Sequence, residues 1–298
     1  MPKCNLLIPG FAKSGTSSLH GYLALHPDVC MSGEKEPQFF SMTAQWQRGF
    51  DWYDSLFDDA GRSRRWYGES SQSYNSSEPA LKRIKAYLKE PRFIVLLRHP
   101  VDRLLSQYRW CWAYGWESRP LVTAVQEEEK NGMDVDAPAP DCYRAYRLGS
   151  DYARLCPLME RYFDRERILY LDSDQLATNP QETLNRCYQF LEIEPRPIGT
   201  EIRANATESI RVWRRMGFHL LLKPVPLATR ERLDPGGRWR RRVRVLLGQK
   251  KRKPPEISDH DKEYLTQLLA EDIAFYEQLF PDSQKAAPRQ GEESAARA

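Results

Sequence analysis

The chain has 298 residues, 41% of them hydrophobic and 29% charged, which suffices for a packed core beneath a densely charged surface and leaves room for one domain or two. Its six cysteines (Cys4, Cys30, Cys111, Cys142, Cys156 and Cys187) are scattered, with no C-x-x-C and no Cys/His metal spacing, so a zinc site is disfavoured and a reduced thiol set is expected. The net charge of +4 is unevenly spread: residues 211–253 hold 15 Lys/Arg against two acids, and the remainder is net acidic.

Leu6-Leu7-Ile8 is a short apolar run. It leads through Gly10-Phe11-Ala12-Lys13-Ser14-Gly15-Thr16-Ser17-Ser18 into Leu19, Tyr22, Leu23 and Leu25, an order that predicts strand, tight loop and helix. His26-Pro27 ends that helix. Gly33 to Pro37 is a polar turn before Phe39-Phe40, and Gln45 to Leu56 is predicted helical, with Trp46, Phe50, Trp52 and Tyr53 along it. Trp66 to Glu69 is a short strand running into the hydroxyl-rich Ser70-Ser71-Gln72-Ser73-Tyr74. Pro79 to Leu88 is a helix with proline near its start. Arg92 to Arg98 has the continuous apolar character of a parallel strand buried on both faces. Helices follow at Val101–Trp112 and Asp151–Phe163, a strand at Ile168–Leu171 and a helix at Pro180–Leu191. Residues 195–255 are irregular and basic, Ser258–Leu279 is a final amphipathic helix with Ser258 at its N-cap and Asp261 three residues on, and the tail from Pro281 reads as disordered. Strands alternating with helices predict an α/β fold, a single domain with a central parallel β-sheet flanked by helices.

The first loop turns backbone N–H groups and a helix N-terminus toward one point, which is the construction of a phosphate or sulfate site. Glycines permit close backbone approach, hydroxyls add neutral donors and Lys13 adds a mobile charge. A glycine- and serine-rich turn without a ligand is the plain alternative. Gly10 and Gly15 have the G-x-x-x-x-G spacing of a nucleoside-triphosphate loop, but Thr16 and Ser17 stand where Lys and Ser/Thr would follow. Strand Phe93–Leu97 ends in Arg98, and no aspartate is evident after an apolar strand, which disfavours a Mg-nucleotide kinase. Arg98 sits at the carboxyl end of its strand, where open α/β sheets bind ligands, and Ser106 lies two turns along the helix that Pro100 begins. A guanidinium fork and a hydroxyl there suit a second phosphate.

Together these residues resemble the sulfotransferases that use 3′-phosphoadenosine 5′-phosphosulfate (PAPS), in their carbohydrate-type and bacterial branch, with a P-loop NTPase-like fold. The family's 5′ loop, K-x-G-T-[ST], is matched by Lys13-Ser14-Gly15-Thr16-Ser17, and its 3′-phosphate motif, R-x-P-x-x-R-x-x-S, by Arg98, Pro100, Arg103 and Ser106. The likeness extends over roughly residues 4–280, which implies one sulfotransferase domain at 1–280 containing a basic insertion at 211–257, and a tail at 281–298. It implies that Lys13 to Ser18 bind the phosphosulfate, that Lys13 stabilises the leaving phosphate, and that Arg98 and Ser106 bind the 3′-phosphate, with no metal required. Arg103 is either a ligand or a structural residue. Glu36-Pro37-Gln38-Phe39-Phe40 matches the E-x-x-F-F setting in which glycosaminoglycan-type relatives place their catalytic base, and a carboxylate beside apolar rings has its pKa raised; a solvated turn glutamate beside Lys35 is the alternative, with Glu34 as substitute base.

Relatives that act on phenols and steroids use a histidine instead; His20, His26, His99, His219 and His260 read here as surface or capping residues. Two departures stand out. In Gly68-Glu69-Ser70-Ser71-Gln72-Ser73-Tyr74, a likeness of the family's G-E-K-S/T-P-x-Y, Ser70 replaces a lysine and Gln72 a proline. The disulfide-closed basic loop of heparan enzymes is not recognisable, which speaks against a long polyanionic acceptor. The expected activity is transfer of a sulfuryl group from PAPS to a hydroxyl of a carbohydrate or small molecule; the rivals are a P-loop kinase or NTPase and a non-catalytic nucleotide-binding relative. Arg203 to Thr207 and Arg211 weakly resemble a donor-contacting stretch. Arg238 to Leu247 presents Trp239, Val243, Leu246 and Leu247 on one face among arginines, which suits a solvated flank near an anionic ligand or a peripheral membrane contact through 238–253; no nucleic-acid motif accompanies it. Only three apolar residues precede Pro9, unlike a secretory signal, and a soluble cytoplasmic protein is expected.

Overall fold

The computed structural model describes residues 2–132, 143–198 and 254–281. The basic stretch 211–253, Arg203 to Thr207, Cys142, His219 and the tail beyond Pro281 lie outside the described residues.

In chain order the elements are β1 (Leu6–Ile8), α1 (Thr16–Leu23), β2 (Val29–Met31), α2 (Thr43–Trp46), α3 (Gly49–Asp54), β3 (Trp66–Ser70), α4 (Glu78–Tyr87), β4 (Arg92–Leu97), α5 (Pro100–Ala113), α6 (Leu121–Asn131), α7 (Tyr152–Glu160), β5 (Ile168–Asp172), α8 (Ser173–Thr178), α9 (Pro180–Leu191), α10 (Asp259–Leu268) and α11 (Ala270–Leu279). The five strands form one parallel sheet in the order β2-β3-β1-β4-β5. β1 is therefore central, with Ile8 opposite Ser70 of β3 and Leu6 opposite Arg92 of β4.

Side chains alternate across this sheet with the two-residue period of a strand. Leu7, Phe93, Val95 and Leu97 enter the core layer that holds Phe39, Tyr53, Ile84 and Leu155. Leu6, Ile8, Ile94 and Leu96 enter the opposite layer with Leu19, Leu23, Leu184 and Leu191. Burial on both faces explains why β4 reads as an unbroken apolar run. A third cluster joins α5, α6 and α10 through Leu104, Tyr108, Val125 and Leu265.

Several element boundaries differ from expectation for local reasons. The helix expected at Gln45–Leu56 is two short helices, because Gly49 adopts φ 78° between them. The final helix is broken at Leu269, which turns into the third cluster (φ −103°, ψ 18°). Its start is as read: Ser258 Oγ accepts from Asp261 N at 3.1 Å and Asp261 Oδ2 from Ser258 N at 3.2 Å, a reciprocal capping box. β2, α6 and α8 were not expected; β2 has only three residues, too few for a periodic signal. No helix among the described residues is long and apolar enough to cross a membrane.

Candidate active site

The loop after β1 remains attached to β4: Phe11 N donates to Leu96 O at 2.9 Å and Leu96 N to Gly10 O at 3.2 Å. This pairing carries the loop along the carboxyl edge of the sheet toward the end of β4, where Arg98 emerges. Lys13 (φ 69°) and Gly15 (φ 89°) are both left-handed, and Gly15 is the N-cap of α1 with no side-chain cap and no acid in the first turn. The leading N–H groups of α1 thus lack acceptors within the helix and present a positive end. A side chain at Gly15 would meet nothing closer than 3.6 Å, so glycine answers a backbone need there and not a steric one.

The loop's members divide. Lys13 is half-buried, Ser17 exposed and Ser18 intermediate, whereas Thr16 is buried. Ser14 is turned wholly inward: its N–H donates to Phe11 O at 3.2 Å and its hydroxyl is buried without a hydrogen-bond partner among the described residues. Burial lowers the pKa of Lys13, and the nearby Arg98 charge lowers it further, while Glu36 opposes the shift. Lys13, Arg98 and Glu36 therefore share one electrostatic neighbourhood, although Arg98 lies more than sixty residues from the other two in sequence. Nε of Arg98 is buried with no hydrogen-bond partner among the described residues, while its carbonyl accepts from Tyr152 OH at 2.9 Å. Crowded cations and an unanswered guanidinium N–H suit an anion with charge at both ends. Ser106 is half-buried on α5, on from Arg98.

Arg103 has a different setting. It is fully buried, with Nε donating to Ser150 Oγ at 2.6 Å and Nη2 to Tyr146 O at 2.5 Å. Glu128, on α6, accepts the N–H groups of Tyr146, Arg147 and Leu148 at 2.6–2.9 Å. Arg103 and Glu128 together pin the segment that enters α7, which is structural work for Arg103, while its Nη1 is buried without a hydrogen-bond partner among the described residues, as Arg98 Nε is.

Glu36 stands in a strained turn. It and Gln38 have positive φ (57° and 52°), and its carboxylate pairs with Lys35 Nζ at 3.1 Å. Phe39 and Phe40 turn away into the core, where Phe39 stacks on Tyr53 at 4.3 Å. Burial pushes the Glu69 carboxyl up to about 7; it accepts from Ser71 Oγ at 2.8 Å and Tyr53 OH at 3.2 Å. The sequence placed Glu69 in the segment Gly68–Tyr74 but did not mark it as buried.

Two expectations need correction. His20 and His26 are not surface residues: His20 Nδ1 lies 2.9 Å from Ser70 Oγ and burial lowers its pKa to about 4, and His26 is buried with Nε2 at 2.9 Å from Glu194 O. An aspartate does end an apolar strand, Asp172 of β5. It is buried and occupied, accepting from Tyr276 OH at 2.8 Å and capping α8 through Asp174 N at 2.9 Å, so it is not poised over the loop after β1. The aromatic residues also sort into two sets. Trp46, Trp52 and Tyr53 pack around Phe39, while Tyr114 and Trp116 cluster with Trp110, whose ring lies 5.4 Å from Lys13 Nζ. A cavity of about 50 Å³ adjoins the loop, lined in part by Phe11, Ala12, Gln72, Asn75, Arg103 and Gln107.

The chain is similar to known proteins in sequence and in fold. The human heparan sulfate glucosamine 3-O-sulfotransferase 6 is 30% identical over 203 residues, covering 68% of this chain and 56% of that protein. The bovine (Bos taurus) bifunctional heparan sulfate N-deacetylase/N-sulfotransferase 2 is 28% identical over 275 residues, covering 90% of this chain and 28% of that protein. The chain thus spans about half, or less, of the length of these relatives. In fold, a sulfotransferase from Alicyclobacillus acidocaldarius superposes with a TM-score of 0.65 at 22% identity, covering 94% of this chain and 97% of that one. A mouse sulfotransferase complexed with PAP gives 0.50 at 13% identity, covering 92% and 86%. The family model described as the sulfotransferase domain matches residues 3–213, well over half of the sequence, and the chain belongs to that family.

Proposed function

We propose that the protein transfers a sulfuryl group from PAPS to a hydroxyl of a carbohydrate or small-molecule acceptor, and that residues 1–280 act as one catalytic domain. The observation that carries this reading is the convergence of the Lys13 loop and Arg98 at adjacent strand ends, with their positive charges bearing on each other and Arg98 Nε unanswered. A nucleotide phosphorylated at both 5′ and 3′ positions neutralises both. Lys13, the N–H groups at Gly15, Thr16 and Ser17, and the hydroxyl of Ser18 hold the 5′ end; Arg98 and Ser106 hold the 3′-phosphate; Ser14 frames the loop from within.

Glu36 takes the acceptor's proton as the acceptor oxygen bonds to sulfur, and Lys13 offsets the charge on the 5′-phosphate oxygen as the bond between that oxygen and sulfur breaks. Catalysis of this type rests on positioning and charge stabilisation. The relatives named above act on heparan sulfate, and the PAP complex belongs to one structural neighbour; both support a PAPS donor and a carbohydrate acceptor here. The absence of a lysine at Ser70 favours an acceptor with few charges. Five described cysteines are free and buried, which supports a reducing, cytoplasmic setting. A membrane-surface role for 238–253 remains part of the proposal.

The test is incubation with ³⁵S-labelled PAPS and a panel of carbohydrates. Labelled carbohydrate from the wild type, none from Glu36→Gln, and unchanged PAP binding by Glu36→Gln are the expected results; transfer by Glu36→Gln at the wild-type rate overturns the assignment of the base.

A further inference from the structure

Glu69 is fully buried beneath the turn that carries Glu36, and no step proposed above uses it. Its surroundings have a regular construction. Ser71 donates its hydroxyl proton to Glu69 Oε2 at 2.8 Å and accepts the backbone N–H of Gln38 at 2.9 Å. Tyr74 OH lies against the Glu69 carboxyl, and the same oxygen accepts Phe40 N at 3.4 Å. Tyr53 donates to Glu69 Oε1 at 3.2 Å while its ring stacks on Phe39 at 4.3 Å. Consecutive residues 38, 39 and 40 are thus each gripped by a group whose hydroxyl is tied to one carboxylate.

A carboxylate only accepts hydrogen bonds. All three hydroxyls must therefore point their protons toward Glu69, and the lone pairs of Ser71 and Tyr74 are left facing the turn's N–H groups. The turn needs such support, because non-glycine residues with positive φ at 36 and 38 persist only where their surroundings hold them. We propose that Glu69 is a positioning residue: through Ser71, Tyr74 and Tyr53 it fixes the backbone of residues 38–40 and so the placement of Glu36 against the Lys13 loop. The catalytic consequence rests on the reading of Glu36 as base; the conformational claim does not.

Amide hydrogen exchange resolved by NMR in the full chain at pH 8, paired with calorimetric PAP titration, tests this for Glu69→Gln and Ser71→Ala. A glutamine carries one acceptor oxygen and an NH₂ group, so it reverses at least one hydroxyl. Losing one such hydrogen bond speeds local exchange by about five- to tenfold. Glu69→Gln is expected to do so at Gln38 and Phe40, and Ser71→Ala at Gln38 alone. The Glu36 amide, bonded to the backbone carbonyl of Ser70 at 3.1 Å, is expected to stay protected in both, and PAP affinity to stay within about twofold. Exchange at Gln38 unchanged in both variants overturns the proposal, as does acceleration spread equally over Glu36 and residues 10–18. Should Glu69→Gln fail to fold, Ser71→Ala decides at Gln38. Failure of the wild type to bind PAP refutes the proposed function and leaves the exchange result standing.

Discussion

Arg98 and Arg103 stand five positions apart in one motif, and the proposed function gives them opposite work, which makes Arg103→Ala an informative perturbation. The substitution removes two short charge-assisted hydrogen bonds, to Ser150 Oγ at 2.6 Å and Tyr146 O at 2.5 Å, and a longer one to Ala145 O at 3.4 Å. Two such bonds are worth about 3–6 kcal/mol. The buried aliphatic stem adds about 2 kcal/mol at roughly 0.8 kcal/mol per methylene. Against this, removing a fully buried cation relieves a desolvation cost of several kcal/mol, which leaves a net loss of about 3 kcal/mol. At about 2–4 °C per kcal/mol for a domain of this size, the melting temperature should fall by roughly 10 °C. Differential scanning calorimetry measures it, and PAP titration at a temperature where the variant remains folded should give a Kd within about threefold of wild type. Gly149→Ala is a second check: its Cβ would lie 2.6 Å from Arg103 Nη1, so it should displace that guanidinium and lower the melting temperature. An Arg103→Ala protein that melts like wild type but loses PAP binding more than tenfold would refute the structural assignment.

Arg98→Ala should show the reverse pattern, with PAP affinity down about tenfold to a hundredfold, as for loss of a buried charge-assisted contact, and little change in melting temperature. Adenosine 5′-phosphosulfate, which lacks the 3′-phosphate, should lose little on the same substitution, and equal losses for both nucleotides count against the 3′ role. Lys13 has a lowered pKa in the free protein because burial and Arg98 disfavour its charge. A bound dianion favours the charged form, so PAP binding should take up a proton in the alkaline window between the free and bound pKa values and weaken as pH rises through it; calorimetry in buffers of different ionisation enthalpy reads the uptake, and proton release is the contrary result. Glu69, faced by Tyr53, Tyr74, Cys4 and Glu36, holds its proton more tightly folded than unfolded, its pKa being raised from 4.5 to about 7 by burial. Its contribution to stability is therefore complete below pH 4.5 and is lost as pH rises to about 7, a change of about 3 kcal/mol that Glu69→Gln lacks. Denaturation of the two proteins from pH 4.5 to 8 should show this divergence, and parallel curves contradict it.

The sheet and the loop before α1 were legible because their signals are local. β4 is buried on both faces and reads as an apolar run, and the loop before α1 concentrates glycine, hydroxyl and lysine in nine positions. Arg103 was ambiguous because a motif fixes spacing along a helix and not which way a guanidinium turns; its direction is set by Ser150 and Tyr146, more than forty residues away. Glu36 was singled out through Phe39-Phe40, yet those rings serve the core. Glu69, Ser71 and Tyr74 stand together in the segment Gly68–Tyr74, but their grouping with Tyr53 under the turn arises only when β3 comes to lie there, which the spacing alone does not show. Asp172 escaped notice because the predicted strand stopped one residue short of it.

The most direct measurement is a crystal structure of the protein with PAP. The account predicts one nucleotide spanning the carboxyl edge of the sheet, its 5′-phosphate at Lys13 and the N-terminus of α1, and its 3′-phosphate against Arg98 and Ser106. A nucleotide held at only one of these points, or bound elsewhere with Arg98 Nε still unpartnered, contradicts it.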